Sequence, residues 1–151
     1  MKKELKVKIE DIDLLERHLK EIGAVFDHEL QAIDTYFKQE AGSVLKIVED
    51  NRGDFLSELE STEGGFTIKQ RTEITDVESA RAKLSSQFGI QRILKKRRRI
   101  YTYREYIIDL NLIEGVGDFL VLVGEKPEES IIENELGVVN PEYVRVPFSE
   151  L

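Results

Sequence analysis

The densest charge in the sequence is Arg92, Lys95, Lys96, Arg97, Arg98 and Arg99, six cations within eight positions. Successive side chains of a strand point to opposite faces. Lys95, Arg97 and Arg99 would then share one side, and Lys96 and Arg98 the other. One set can meet an anion in an interior while the other is solvated or paired with surface carboxylates. A charge run most often marks a solvated face; the sharper reading is convergent Arg and Lys neutralising phosphate. Three further segments carry alternating polar side chains: Glu4, Lys6 and Lys8; Lys69, Arg71 and Glu73; Asp109 and Asn111. The chain has no cysteine, which removes thiol nucleophiles, disulfides and zinc-thiolate sites. His18, in a helix, and His28, in a loop, lack neighbours that would build a catalytic triad, and both read as surface residues.

The elements that must position these groups follow from periodicity. Leu5, Val7 and Ile9 alternate with Glu4, Lys6 and Lys8, the pattern of a half-buried strand. Asp11 or Asp13 can cap a helix whose Ile12, Leu15, Leu19 and Ile22 have helical spacing, with Gly23 as its stop. Strands follow at 32–37, 44–49 and 55–60, the last two joined by the turn Asn51-Arg52-Gly53-Asp54. After Gly64-Gly65 comes a strand over 66–74, with Lys69, Arg71 and Glu73 on one face and Phe66, Ile68 and Ile74 on the other. Asp76 caps a second helix through Gln87, ended by Gly89. Strands at 92–103, 106–112 and 119–124 complete the set, and Pro127 can open a third helix running to Leu136 and Gly137. The tail to Leu151, with Pro141 and Pro147, reads as irregular.

This is an α+β chain: an antiparallel barrel of about eight strands in meander order, with helices packed outside. A half-open sheet with its polar faces in water is the competing arrangement. At 151 residues and 17.4 kDa, without linker, repeat or low-complexity segment, residues 1–151 are expected to form a single domain. Apolar residues make up 40% and charged residues 34%, enough for a core under a strongly ionised surface. The net charge of −8 disfavours a nucleic-acid-coating role, so any anionic ligand must be met locally. No apolar run reaches the length of a membrane span. With no apolar leader after Met1, the expected setting is cytoplasmic, with no nucleic-acid or membrane partner and a dimer as one open option for assembly.

The order of segments resembles the CYTH family, the triphosphate-tunnel proteins that include class IV adenylyl cyclases and thiamine-triphosphatases. Lys2-Lys3-Glu4-Leu5-Lys6 is similar to the family's opening Glu-x-Glu-x-Lys, with Lys2 in place of the first Glu. Gln31-x-x-Asp34-x-Tyr36-Phe37 resembles the second strand. Lys46 keeps the first cation of Leu-Arg-Ile-Arg, and Val48 replaces the second. Leu59 stands where a phosphate-binding Lys would be. Arg71-x-Glu73 matches two thirds of Arg-x-Glu-x-Glu, with Thr75 in the last place. Lys96-x-Arg98-x-x-Tyr101 fits the basic strand, and Glu114-Gly115-Val116-Gly117-Asp118-Phe119 looks like Glu-Gly-Leu-Gly-Asp-Phe. Asn111 replaces an Asp, and Val121 and Val123 replace both Glu of a final Glu-x-Glu.

The resemblance implies a tunnel in which Lys6, Lys46, Arg71, Lys96 and Arg98 surround the phosphates of a triphosphate or nucleotide. It also implies carboxylates holding Mg²⁺ or Mn²⁺; of these Glu4 and Glu73 remain, with Asp109 and Glu125 one step away as candidates to compensate. Hard cations need oxygen ligands, which valine cannot supply. The chain is therefore expected to bind a polyanion with weak or absent metal-dependent catalysis. Two alternatives stand beside this: an active triphosphatase or class IV adenylyl cyclase with shifted ligands, and a non-catalytic interaction module whose interior, through Val48, Leu59, Val121 and Val123, has turned partly apolar.

Overall fold

A computed structural model describes residues 2–151 and gives a closed antiparallel barrel of eight strands. In chain order these are β1 (Lys3–Ile9), β2 (Val25–Phe37), β3 (Ser43–Asp50), β4 (Gly53–Thr62), β5 (Gly65–Glu73), β6 (Ile90–Tyr103), β7 (Tyr106–Ile113) and β8 (Gly117–Gly124). Around the barrel they run β1-β5-β4-β3-β2-β6-β7-β8 and back to β1. Helix α1 (Ile12–Glu21) follows β1, and α2 (Val77–Phe88) follows β5. The half-open alternative is excluded, because β1 pairs with both β8 and β5. Among the described residues no helix is long and apolar enough to cross a membrane.

Closure at β1 is uneven. It pairs with β8 along its whole length but with β5 only at Lys3 and Glu4. Gly65 makes that contact possible, since a Cβ there would lie 2.2 Å from the Glu4 carbonyl oxygen. Beyond it the C-terminal tail takes over: Val144 N–H donates to the Lys6 carbonyl at 2.8 Å, and Lys8 N–H to that of Glu142 at 3.0 Å. The tail expected to be irregular thus completes the wall, and it ends in a 3₁₀ turn at Phe148–Glu150.

Helices cover the outside where the strands turn apolar faces outward. The Asp11 side chain accepts from Leu14 N–H at 3.0 Å to start α1. Its Leu15 and Leu19 pack on Leu5, Val7 and Ile9 of β1, Ile108 and Leu110 of β7, and Leu120 and Leu122 of β8. Asp76 caps α2 through Ser79 N–H at 3.1 Å, and Gly89, with φ of 82°, ends it. Val77, Ala80 and Leu84 of α2 lie against Phe37, Leu45 and Ile47.

Four sequence expectations need correction. Simple meander order fails, since β1 pairs with β5 and β8 and not with β2, and β2 pairs with β6. The third helix shrinks to a π-helical turn at Ile131–Glu135, whose Ile131, Ile132 and Leu136 join the core under α1. The strand expected at 32–37 begins at Val25, so His28 lies in β2 and not in a loop. On β5 the strict alternation fails: Leu59 faces Ile68 but Glu58 faces Gln70, leaving Lys69 as a bulge. An extra residue reverses the side-chain phase, so Ile68 and Arg71 line the same interior.

Candidate functional site

Inside the barrel the strands carry a second, polar set of side chains. β1 contributes Glu4 and Lys6, β2 Asp34, β3 Lys46, β5 Arg71, β6 Lys96 and Arg98, and β7 Asp109 and Asn111. All of them line one cavity enclosing about 90 Å³. The five cations singled out in the sequence are therefore brought together from four strands. Of the three carboxylates singled out, Glu4 and Asp109 line the cavity; Glu73 is exposed at the end of β5 and does not. Lys95, Arg97 and Arg99 point outward, where Arg99 pairs with Glu16 and Glu29 and Arg97 lies 3.9 Å from Glu29. Glu125 is exposed and likewise stands apart.

The interior is a cup. Tyr36, Val44, Leu59, Phe66, Leu94, Ile113, Phe119 and Phe148 form one apolar cluster. Phe148 belongs to the tail; each of the others comes from the late part of β2, β4 or β7 or the early part of β3, β5, β6 or β8, and strands of these two groups run in opposite directions. They therefore meet at one end. Phe148 stops that end, its ring 4.9 Å from Phe119, with Lys6 Nζ 4.2 Å and Lys96 Nζ 4.9 Å from its centroid. By the same reasoning Asp50, Phe55, Arg71 and Arg98 sit toward the opposite end, which is the mouth.

Most of the interior charge is already paired. Asp34 Oδ2 accepts from Lys46 Nζ at 2.8 Å and is 2.7 Å from Lys96 Nζ. Burial would raise the Asp34 pKa, but the two ammonium groups outweigh it and hold the carboxyl well below the usual range. Lys46 is pushed down by burial and up by Asp34, with a net rise. Arg98 grips Asp109 through Nε at 3.1 Å and Nη2 at 2.5 Å, and its pKa also rises against the cost of burial. Asn111 Nδ2 donates to Asp109 Oδ1 at 3.0 Å.

Lys6 and Arg71 are held more loosely. Among the described residues Lys6 has only Glu4 as an acidic partner, at 3.8 Å, and sits between the rings of Phe66 and Phe148 at 4.1 and 4.2 Å. Desolvation lowers its pKa to about 7, with Glu4 opposing and Lys46 and Lys96 assisting. Arg71 stacks on Phe55 at 4.1 Å, and its nearest carboxylate, Asp50, is 4.0 Å away. Burial, then Arg52 and Arg98, lowers its pKa. The Asp50 carboxylate is shielded from solvent and held by Arg52 at 2.9 Å; hydrogen bonds from Arg52 overcome the burial that would raise its pKa.

Mg²⁺ or Mn²⁺ does not fit this donor set. Asp34 serves two lysines, Asp109 gives both oxygens to Arg98, and Glu4 faces Lys6. The β8 wall supplies Val121. Among the described residues no group of three His, Asp or Glu side chains converges as ligands.

Sequence reasoning missed Asp34, Asp50 and Phe148 as parts of the site. Asp34 shares its strand face with Tyr36, and that phase was the available signal; no local pattern marks Phe148.

By sequence, no protein-family model and no curated protein matches the chain. By structure, it is similar to the PH1012 protein of Pyrococcus horikoshii, with a TM-score of 0.87 and 24% identity over 100% of this chain and 99% of that one. A candidate adenylate cyclase of Vibrio parahaemolyticus superposes with a TM-score of 0.61 at 20% identity, covering 87% of this chain and 80% of that one. The Hippeastrum protein HpAC1, a candidate adenylyl cyclase with a dominant triphosphatase activity, gives 0.60 at 16%, covering 90% and 84%. This is the CYTH-like triphosphate-tunnel fold. In this chain the tunnel is stopped at one end and carries a cationic lining whose acids are occupied by lysine and arginine.

Proposed function

We propose that residues 1–151 act as one domain that takes the phosphate end of a triphosphate or nucleotide into the cationic cup, without a divalent metal and with little or no turnover. The observation that carries this reading is the convergence of Lys6, Lys46, Arg71, Lys96 and Arg98 on one cavity, where five basic side chains face three carboxylates. Phosphoryl groups are held by such charge-assisted contacts at close range. The dominant triphosphatase activity of the Hippeastrum neighbour supports the ligand class. Because the carboxylates are engaged by cations, charge on the ligand is offset by the protein itself.

Titration calorimetry with inorganic tripolyphosphate, in EDTA and again in Mg²⁺, tests this. Binding is expected in EDTA. Arg71→Ala removes a half-exposed guanidinium with no tight partner, and should weaken binding by about 10- to 100-fold while leaving stability unchanged. Absence of heat in both conditions would end the reading.

That outcome would favour a second reading with an observation of its own. Val48, Leu59, Val121 and Ile68 also line the cavity, and Asp34 and Asp109 pair three of its cations. The interior would then be a filled ionic and apolar core beneath a non-catalytic interaction surface. An active enzyme with shifted ligands would instead release phosphate or pyrophosphate in Mg²⁺ or Mn²⁺ and lose that activity in Glu4→Ala.

A further inference from the structure

Arg71 stands where the barrel wall is fastened along one edge. β5 pairs with β1 only at Lys3 and Glu4, so Gln70 to Glu73 are bonded to β4 alone. In that register Ser57 stands opposite Arg71, and Phe55 opposite Glu73. Phe55 is therefore the diagonal neighbour of Arg71 on one face of the sheet. That face is the inner one, because Ser57 and Arg71 both line the cavity. The Arg71 guanidinium lies 4.1 Å from the centroid of the half-buried Phe55 ring.

Nearby charge does not account for this placement. Arg52 and Arg98 repel Arg71, and the two carboxylates that attract it are committed elsewhere, Asp50 to Arg52 at 2.9 Å and Asp109 to Arg98 at 3.1 Å. Asp50 stays 4.0 Å from Arg71, beyond hydrogen-bond reach. Repulsion on an arginine whose side chain is 41% exposed would send it out into solvent. The stack opposes that. A planar guanidinium lying on an aromatic face is held by its plane, and the N–H groups around its edge stay free to donate.

Resting on the polyanion reading above, we infer that Phe55 is a positioning residue, whose ring holds Arg71 at the mouth of the cup with its N–H groups unspent for the phosphoryl oxygens of the ligand. An arginine fixed before the ligand arrives gives up less side-chain freedom on binding than one recruited from solvent. Phe55 then contributes to affinity only through Arg71, without touching the ligand.

A double-mutant cycle on the full chain tests this, with inorganic tripolyphosphate in EDTA as the probe. Phe55→Leu keeps most of the apolar volume and loses the flat face; it should weaken binding about 3- to 10-fold, the freedom of one long side chain. In the Arg71→Ala background the same change should cost nothing further. Phe55→Tyr keeps the ring and should bind as the wild type does. Three results overturn the inference and leave the polyanion reading standing: no loss in Phe55→Leu, an equal loss in both backgrounds, or a loss in Phe55→Tyr as large as in Phe55→Leu. Failure of the wild-type chain to bind tripolyphosphate removes both. Should Phe55→Leu not fold, Phe55→Met takes its place in the cycle and is judged by the same outcomes.

Discussion

Phe148→Ala probes the stopped end of the barrel directly. Phe148 is 3% exposed and lies against Phe119, with the ammonium groups of Lys6 and Lys96 over its ring. Truncating a buried Phe costs about 3–5 kcal/mol, and a desolvated ammonium over an aromatic face accounts for up to about 2 kcal/mol of that. Phe148 sits on a short 3₁₀ turn near the chain's end, which relaxes more readily than a strand, so the lower bound of about 3 kcal/mol is expected. For a chain of this size each kcal/mol moves the melting temperature by about 2–4 °C, giving a fall of about 6–12 °C. Phe148→Leu keeps most of the apolar volume but loses the aromatic face, and should cost less than half as much. Thermal and urea unfolding of the three proteins measure this. A loss below about 0.5 kcal/mol for the alanine variant is the behaviour of a surface residue. It would mean that the tail does not seal the barrel and that the cup is open at both ends.

Two further outcomes follow from the same interior. Lys6 has a folded-state pKa of about 7, below its ordinary value of 10.5, so above pH 7 the unfolded chain binds more protons there than the folded one. Its penalty is complete below pH 7 and fades as pH rises toward 10, so stability should climb between pH 7 and 9, and Lys6→Met should flatten that slope in urea titrations. Gly65→Ala places a Cβ 2.2 Å from the Glu4 carbonyl oxygen, so the β1–β5 junction must part; a loss of more than about 2 kcal/mol is expected, and an unchanged melting curve would contradict that close approach.

Strand phase was the most legible part of the molecule. Leu5, Val7 and Ile9 set against Glu4 and Lys6, and Ile108 and Leu110 set against Asp109 and Asn111, already separate an outer apolar wall from a polar interior, because a closed sheet obeys the two-residue period on both faces. The same period sorts Lys96 and Arg98 from Lys95, Arg97 and Arg99. It fails at Lys69, where a bulge left no local signature and reversed the phase that would have set Ile68 and Arg71 apart. It could not reveal which acids hold which bases either. Asp34 meets Lys46 and Lys96 across twelve and sixty-two positions of chain, and such pairings depend on how the sheet rolls up. The shortened third helix and the seated tail share that cause: Ile131, Ile132 and Phe148 are placed by the apolar surfaces waiting for them, not by their own sequence neighbourhood.

With Phe148 in place, traffic has a single doorway. On the polyanion reading a long phosphate chain would not be threaded from one side to the other but held by its tip, with the remainder in bulk water. Whatever occupies the chamber must back out before a successor arrives, so residence time, rather than passage, would set how often the vessel empties.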